Sequence, residues 1–169
     1  MNPIIKMYKL AEDVIIPSFA TTNSACFDLC AYLPISSSVT MHTIYNVSYK
    51  INRPLNATSI DIRPGERALI PTGLILDIPE GYSVRLHIRS SMALKQGISL
   101  ANATGVIDSD YVDPLYIMVH NISNSIVYIN HGDRIAQGEL IPQLNYTITT
   151  TKEKPGVKGN RTGGFGSTG

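Results

Sequence analysis

The segment Gly105-Val106-Ile107-Asp108-Ser109-Asp110-Tyr111 sets two carboxylates and an aromatic ring at a turn signal. In an extended chain Asp108 and Asp110 share one side, and Ile107 and Ser109 point the other way. Paired carboxylates of this kind position a water, act as a base or bind a metal. The plainer alternative is an Asp-rich turn with ordinary turn chemistry. Arg89-Ser90-Ser91 ends an alternating run and opens the one stretch able to hold helical turns. A guanidinium, two hydroxyls and unpaired amides there make a phosphate cradle, or a helix cap beside a surface arginine. Gly132-Asp133-Arg134 before Ile135-Ala136 reads as a turn into a strand, either purely structural with an Asp–Arg pair or with Gln137 as a placed polar group. The run Arg161-Thr162-Gly163-Gly164-Phe165-Gly166-Ser167-Thr168-Gly169 is the most distinctive. Its glycines let backbone approach a ligand closely. Ser167 and Thr168 can donate, Arg161 can pair with phosphate, and Phe165 offers a flat apolar face.

The elements that must position these residues read as β throughout. Apolar or alternating runs are broken by Gly, Pro, Asn and Asp roughly every eight to twelve residues, the pattern of a sandwich or barrel. Strands are expected at Ile4–Leu10, Glu66–Pro71, Leu74–Ile78, Tyr82–Arg89, Leu115–His120, Ile126–Ile129 and Arg134–Ile141. Tyr82–Arg89 alternates cleanly, with Tyr82, Val84, Leu86 and Ile88 on one face and Ser83, Arg85, His87 and Arg89 on the other. A helical turn or two fits Ser91–Gln96, capped by Ser90 or Ser91 and stopped by Gly97. Ten prolines leave no room for long helices. His87 and His120 read as strand residues, His42 and His131 as loop residues, and none falls at a metal-ligand spacing.

The chain has 169 residues, 43% hydrophobic and only 16% charged. That is one domain with a sizeable core. The charged share lies below the roughly 25% of ordinary soluble domains, which points to surface covered in an oligomer. The formal net charge of +1 argues against a protein that coats nucleic acid. No apolar run approaches the roughly 18 residues that span a membrane. No signal peptide is read, since Lys6 and Lys9 interrupt the apolar N-terminus. Cys26 and Cys30 fit reduced thiols in a cytoplasm.

Two segments stand apart. Pro34–Ser59 is rich in Ser, Thr and Asn, with one strand-like run at Thr43–Ile51. Thr149–Gly169 holds six glycines, one proline and four basic residues, and reads as a flexible arm following a body of residues 1–148. Phe165 amid glycines gives that arm the character of a lid over something flat.

Taken together, these motifs resemble those of the trimeric dUTP pyrophosphatases (dUTPases). Ser24–Ala31 with Asp28, Arg89–Ala93, Asn102 with Gly105–Tyr111, Gly132–Gln137 and Gly163–Gly169 are similar to that family's five motifs, in order. The insertion at about 34–59 falls outside the resemblance and points to a viral or phage member.

The resemblance implies an all-β, jelly-roll β-barrel that forms a homotrimer, with each site at a subunit interface and the arm closing over it. It implies hydrolysis of dUTP to dUMP and pyrophosphate with Mg²⁺, lowering dUTP and supplying dUMP for thymidylate synthesis, in the cytoplasm or, for a virus, the host's. It implies that Asp108 orients and activates the attacking water, while Tyr111 packs on the deoxyribose. Asn102 with Gly105, Val106 and Ile107 would read uracil. Arg89, Ser90, Ser91 and Gln137 would meet the phosphates. Asp28 would act on the metal through its water shell. From the arm, Phe165 would stack on uracil, and Arg161, Gly166, Ser167 and Thr168 would contact phosphate. The insertion is a candidate contact for a protein partner.

Three positions depart from the family pattern. Ser91 stands where Gly is usual, Val112-Asp113-Pro114 follow Tyr111 where a Gly usually comes, and Arg161 lies four residues before Phe165 instead of five. The sister class of the same fold, the dCTP deaminases, needs a Glu at the ring, and Ala101–Pro114 holds only Asp108, Asp110 and Asp113. A regulatory protein that keeps the fold is the remaining alternative.

Overall fold

A computed structural model describes residues 2–43, 51–156 and 158–160. In chain order the strands are β1 (Lys6–Lys9), β2 (Phe27–Cys30), β3 (Ser38–His42), β4 (Ile51–Pro54), β5 (Ser59–Ile62), β6 (Arg67–Pro71), β7 (Leu74–Asp77) and β8 (Tyr82–Ile88). The one helix among the described residues, the short α1 (Ser90–Gln96), comes next. The strands β9 (Ile98–Leu100), β10 (Gly105–Asp108), β11 (Tyr116–Asn121), β12 (Val127–Asn130) and β13 (Arg134–Pro142) complete the order.

Two antiparallel sheets make the body, ordered β10-β8-β13-β2 and β4-β3-β6-β11-β9, and the pairs β1-β7 and β12-β5 flank them. Their inward side chains fill one core. Leu29, Val84, Leu86, Ile135 and Ala136 from the first sheet meet Met41, Ile70, Ile117 and Val119 from the second. Each fully buried large side chain contributes roughly 1.5–3 kcal/mol. The all-β expectation is met, and among the described residues the strands wrap this core without closing into a barrel. No helix among them is long and apolar enough to cross a membrane.

Some local expectations need correction. Neither Ser90 nor Ser91 caps α1: Arg89 occupies the N-cap in extended geometry, with no side-chain cap bond. Buried Met92 anchors the helix instead, and Gly97 at φ 65° ends it, donating to Ala93 and Met92 carbonyls. His42 ends β3 and is not a loop residue. The strand expected over Thr43–Ile51 falls mostly on residues 44–50, which lie outside the described residues; β3 ends at His42 and β4 begins at Ile51.

The described part of segment 34–59 is stitched into the body. β4 pairs with β3, which pairs with β6. Arg53 on β4 makes a two-pronged ion pair with Glu66, at 2.6 and 2.8 Å, and reaches Asp61 at 3.2 Å. Their side chains are only 15% (Arg53) and 7% (Glu66) exposed. Burial disfavours the charge on Glu66, but the Arg53 guanidinium and the Arg63 N–H outweigh it and hold the carboxyl below its usual range.

Removing one partner of such a pair leaves an uncompensated charge, so Arg53→Met is expected to cost ~3 kcal/mol in urea unfolding at neutral pH. Because the folded-state value is depressed, the pair's contribution is present above the ordinary Glu range and lost as pH falls through the folded value. The gap between wild type and variant should therefore narrow below pH ~4.

Candidate active site

The four-stranded sheet positions the chemistry. Its β10 edge borders a cavity of about 320 Å³ lined by Asn102, Gly105, Val106, Ile107, Asp108 and Tyr111. Sequence reading therefore chose six residues that the fold brings together. Gly105 is required by packing, since a Cβ there would meet Leu86 side-chain atoms at 2.9–3.0 Å. The β9–β10 turn holds Ala103 at φ 61°, a conformation costly for a residue with a side chain. The cavity's other wall is Leu69, Tyr116 and Met118 of the five-stranded sheet. Sequence reading missed these three, whose only signal is a polar–apolar alternation shared by any half-buried strand.

The two aspartates do not act as a pair. β10 ends at Asp108, and Ser109-Asp110 form the turn, so the extended geometry that would align them is absent. Tyr111 N–H closes that turn on the Asp108 carbonyl at 3.2 Å.

A second cluster lies at the opposite edge of the same sheet, around Asp28 of β2. Arg89 Nε and Gln137 Nε2 each lie 3.1 Å from its Oδ1, and Arg134 is 3.0 Å from Oδ2. The carboxylate is 8% exposed and fully engaged. A β-bulge between Arg134 and Ala136 makes this possible. In a regular strand Arg134 and Gln137, three apart, would face opposite sides. The extra residue puts both on the Asp28 side and sends Ile135 and Ala136 inward, where both are fully buried. Arg134 thus pairs with Asp28, not with Asp133, whose carboxylate instead accepts from Asn130 N–H. Burial and the nearby Asp28 charge push the Cys30 thiol up, against Arg134 and Arg89. Both cysteines are free. Ser90 and Ser91 are exposed beside this cluster at the start of α1.

The two clusters are far apart within one chain. Asp108 pairs with Ser83, and Asp28 aligns through Gln137 with His87. Asp28 is therefore three strands across and four residues along from Asp108, about 19 Å at ordinary sheet spacings. Arg161, Phe165, Gly166, Ser167 and Thr168 lie outside the described residues.

A largely apolar cavity edged by a carboxylate and a buried carboxylate–arginine cluster thus lie on one sheet. The dUTPase family model matches residues 55–169. The chain is 33% identical over 161 residues to the deoxyuridine 5'-triphosphate nucleotidohydrolase of Hydrogenobaculum sp., covering 95% of this chain and 94% of that one. It is 39% identical over 141 residues to the Aquifex aeolicus protein of that name, covering 82% and 79%. Among solved structures it superposes on a Staphylococcus bacteriophage 80alpha dUTPase with dUpNHpp at TM-score 0.73 and 21% identity, covering 98% of each chain. It also superposes on a dUTPase from phage phi11 of S. aureus with a structural Mg(II) ion, at 0.65 and 22%, covering 89% and 97%. The chain belongs to the dUTPase family.

The geometry around Asp28 predicts an order of stabilities. Asp28→Asn leaves two guanidiniums facing each other without a counter-charge and is expected to cost ~3 kcal/mol. Arg134→Ala removes a half-exposed partner and should cost no more than ~1 kcal/mol. Chemical unfolding of both variants checks the order.

Proposed function

We propose that the protein hydrolyses dUTP to dUMP and pyrophosphate by attack of water on the α-phosphate. The observation that carries this is the single cavity holding Asn102, Gly105–Asp108 and Tyr111 together. Its relatives bear the name deoxyuridine 5'-triphosphate nucleotidohydrolase. Asp108 holds the water in line and takes up its proton, a role a carboxylate fills without any change of fold. Asn102 and the backbone of Gly105–Ile107 read the edge of the base, where uracil and cytosine differ as donor and acceptor. Tyr111 packs on the sugar. Arg89, Ser90, Ser91 and Gln137 meet the phosphates and offset the charge that opposes attack.

Magnesium fits this donor set. Among the described residues no three His, Cys, Asp or Glu cluster as a metal cage. Mg²⁺ keeps several waters and takes one or two carboxylates plus substrate phosphates. Asp28 would hold it through water, since both its oxygens are already engaged. When bound, the ion supplies positive charge to the phosphates.

The site is completed between copies, in a homotrimer. Reacting groups must approach to ~3–3.5 Å, and Asp108 and the Asp28–Arg89 cluster are far apart in one chain. The low charged share and exposed Ile4, Tyr8, Phe19, Leu144, Tyr146 and Ile148 support surface covered by other copies. The arm, residues 149–169, then closes with Phe165 on uracil and Arg161, Gly166, Ser167 and Thr168 on phosphate. Free thiols at Cys26 and Cys30 suit a cytoplasmic protein. The insertion at 34–59, pinned through Arg53, is the surface we assign to any protein partner.

Incubation with each dNTP and with UTP, in Mg²⁺, should yield dUMP and pyrophosphate from dUTP. Ammonia from dCTP, or no turnover of dUTP, would contradict the proposal. Asp108→Asn should lower kcat by about 10³-fold while dUTP still binds in calorimetry. Wild-type turnover in that variant would remove Asp108 from the mechanism.

A further inference from the structure

Tyr111 is anchored at both ends. Its main chain is tied to Asp108, and its hydroxyl donates to the Pro114 carbonyl at 3.0 Å. Pro114 has its φ set by its ring, and it is followed by Leu115, which is buried. The Leu115 N–H donates to the Leu74 carbonyl at 2.8 Å. The Leu115 carbonyl accepts twice from Thr72, from its N–H at 3.1 Å and its hydroxyl at 2.8 Å. The Thr72 hydroxyl oxygen in turn accepts Leu74 N–H at 3.3 Å, and Thr72 is 2% exposed. An unbroken path of short contacts therefore runs from a ring in the cavity wall to a buried threonine between β6 and β7. Burial, and then the neighbouring Asp113 and Tyr116, push the Tyr111 hydroxyl up, so it remains a donor at neutral pH.

We propose that Pro114, held through Leu115 by Thr72, is a positioning element that clamps the Tyr111 ring and thereby sets how strongly a ribose is rejected. The inference rests on the reading that Tyr111 packs on the deoxyribose. A ring free about its side-chain torsions swings aside and admits a 2′-hydroxyl at little cost. A ring fixed at both ends makes that clash unavoidable, and rejection of a competitor by clash is an effective route to specificity.

The test is the ratio of kcat/KM for UTP to that for dUTP, with thermal unfolding as a control on folding. Tyr111→Phe keeps the ring and removes the anchor, and the ratio should rise about tenfold, the effect of one ordinary hydrogen bond. Thr72→Val should raise it in the same direction, and Thr72→Ser, which keeps the hydroxyl, should restore it. Tyr111→Ala should raise it further than Tyr111→Phe. If Tyr111→Phe and Thr72→Val keep the wild-type ratio while Tyr111→Ala loses it, the ring reads the sugar and the clamp is overturned. If Tyr111→Ala also keeps the ratio, the reading of Tyr111 itself falls, and the clamp with it.

Discussion

The arginine cluster on this sheet depends on one buried carboxylate. Asp28 holds Arg89, from the end of β8, and Arg134 and Gln137, both from β13, on a single face. Taken out of water, Asp28 is tolerable only because all three donors reach it. Taken without Asp28, the two guanidiniums would repel. The same interaction joins β2 to β13 and fixes the end of β8, so it is both a structural joint and the device that aims Arg89.

The sheet that creates this cluster also separates it from Asp108. β8 and β13 lie between the two edges, and their pairing is long and continuous. No side-chain rotation brings the carboxylate on β10 to the arginines near β2. On the proposed function, a rigid sheet with one cluster at each edge works only if copies pack together, and the large apolar side chains left exposed on one chain are the surface we assign to that packing. The β10 cluster is more self-contained. Gly105, the Ala103 turn and the Tyr111 anchor build its cavity within one chain.

Much of this was legible in the residues. The strand expected at Tyr82–Arg89, found one residue shorter, the stop at Gly97 and the cavity residues Asn102, Gly105–Asp108 and Tyr111 follow from alternation, turn chemistry and motif. What escaped was whatever depends on pairing far along the chain. Asp28 and Arg134 are 106 positions apart, and nothing local announces that β2 lies beside β13. The bulge beside Arg134 is visible beforehand only as two consecutive apolar residues, Ile135-Ala136, where a single inward residue is the rule. Arg53 lies in a polar stretch with its partner Glu66 between β5 and β6, so nothing local marks the pair. The helix cap was misplaced for the opposite reason. Local preference favours serine there, but Arg89 is held at that position by its bond to Asp28, so tertiary geometry overrides the cap.

The central claim is that a working site draws Asp108 from one copy and the Asp28–Arg89 cluster from another. Chains carrying Asp108→Asn and chains carrying Arg89→Ala should each be nearly inactive alone. Unfolded together and refolded as mixed oligomers, they should regain a substantial fraction of wild-type dUTP turnover, since some sites then receive both intact halves. Mixed oligomers verified by mass and still inactive would contradict the account, as would an active monomer.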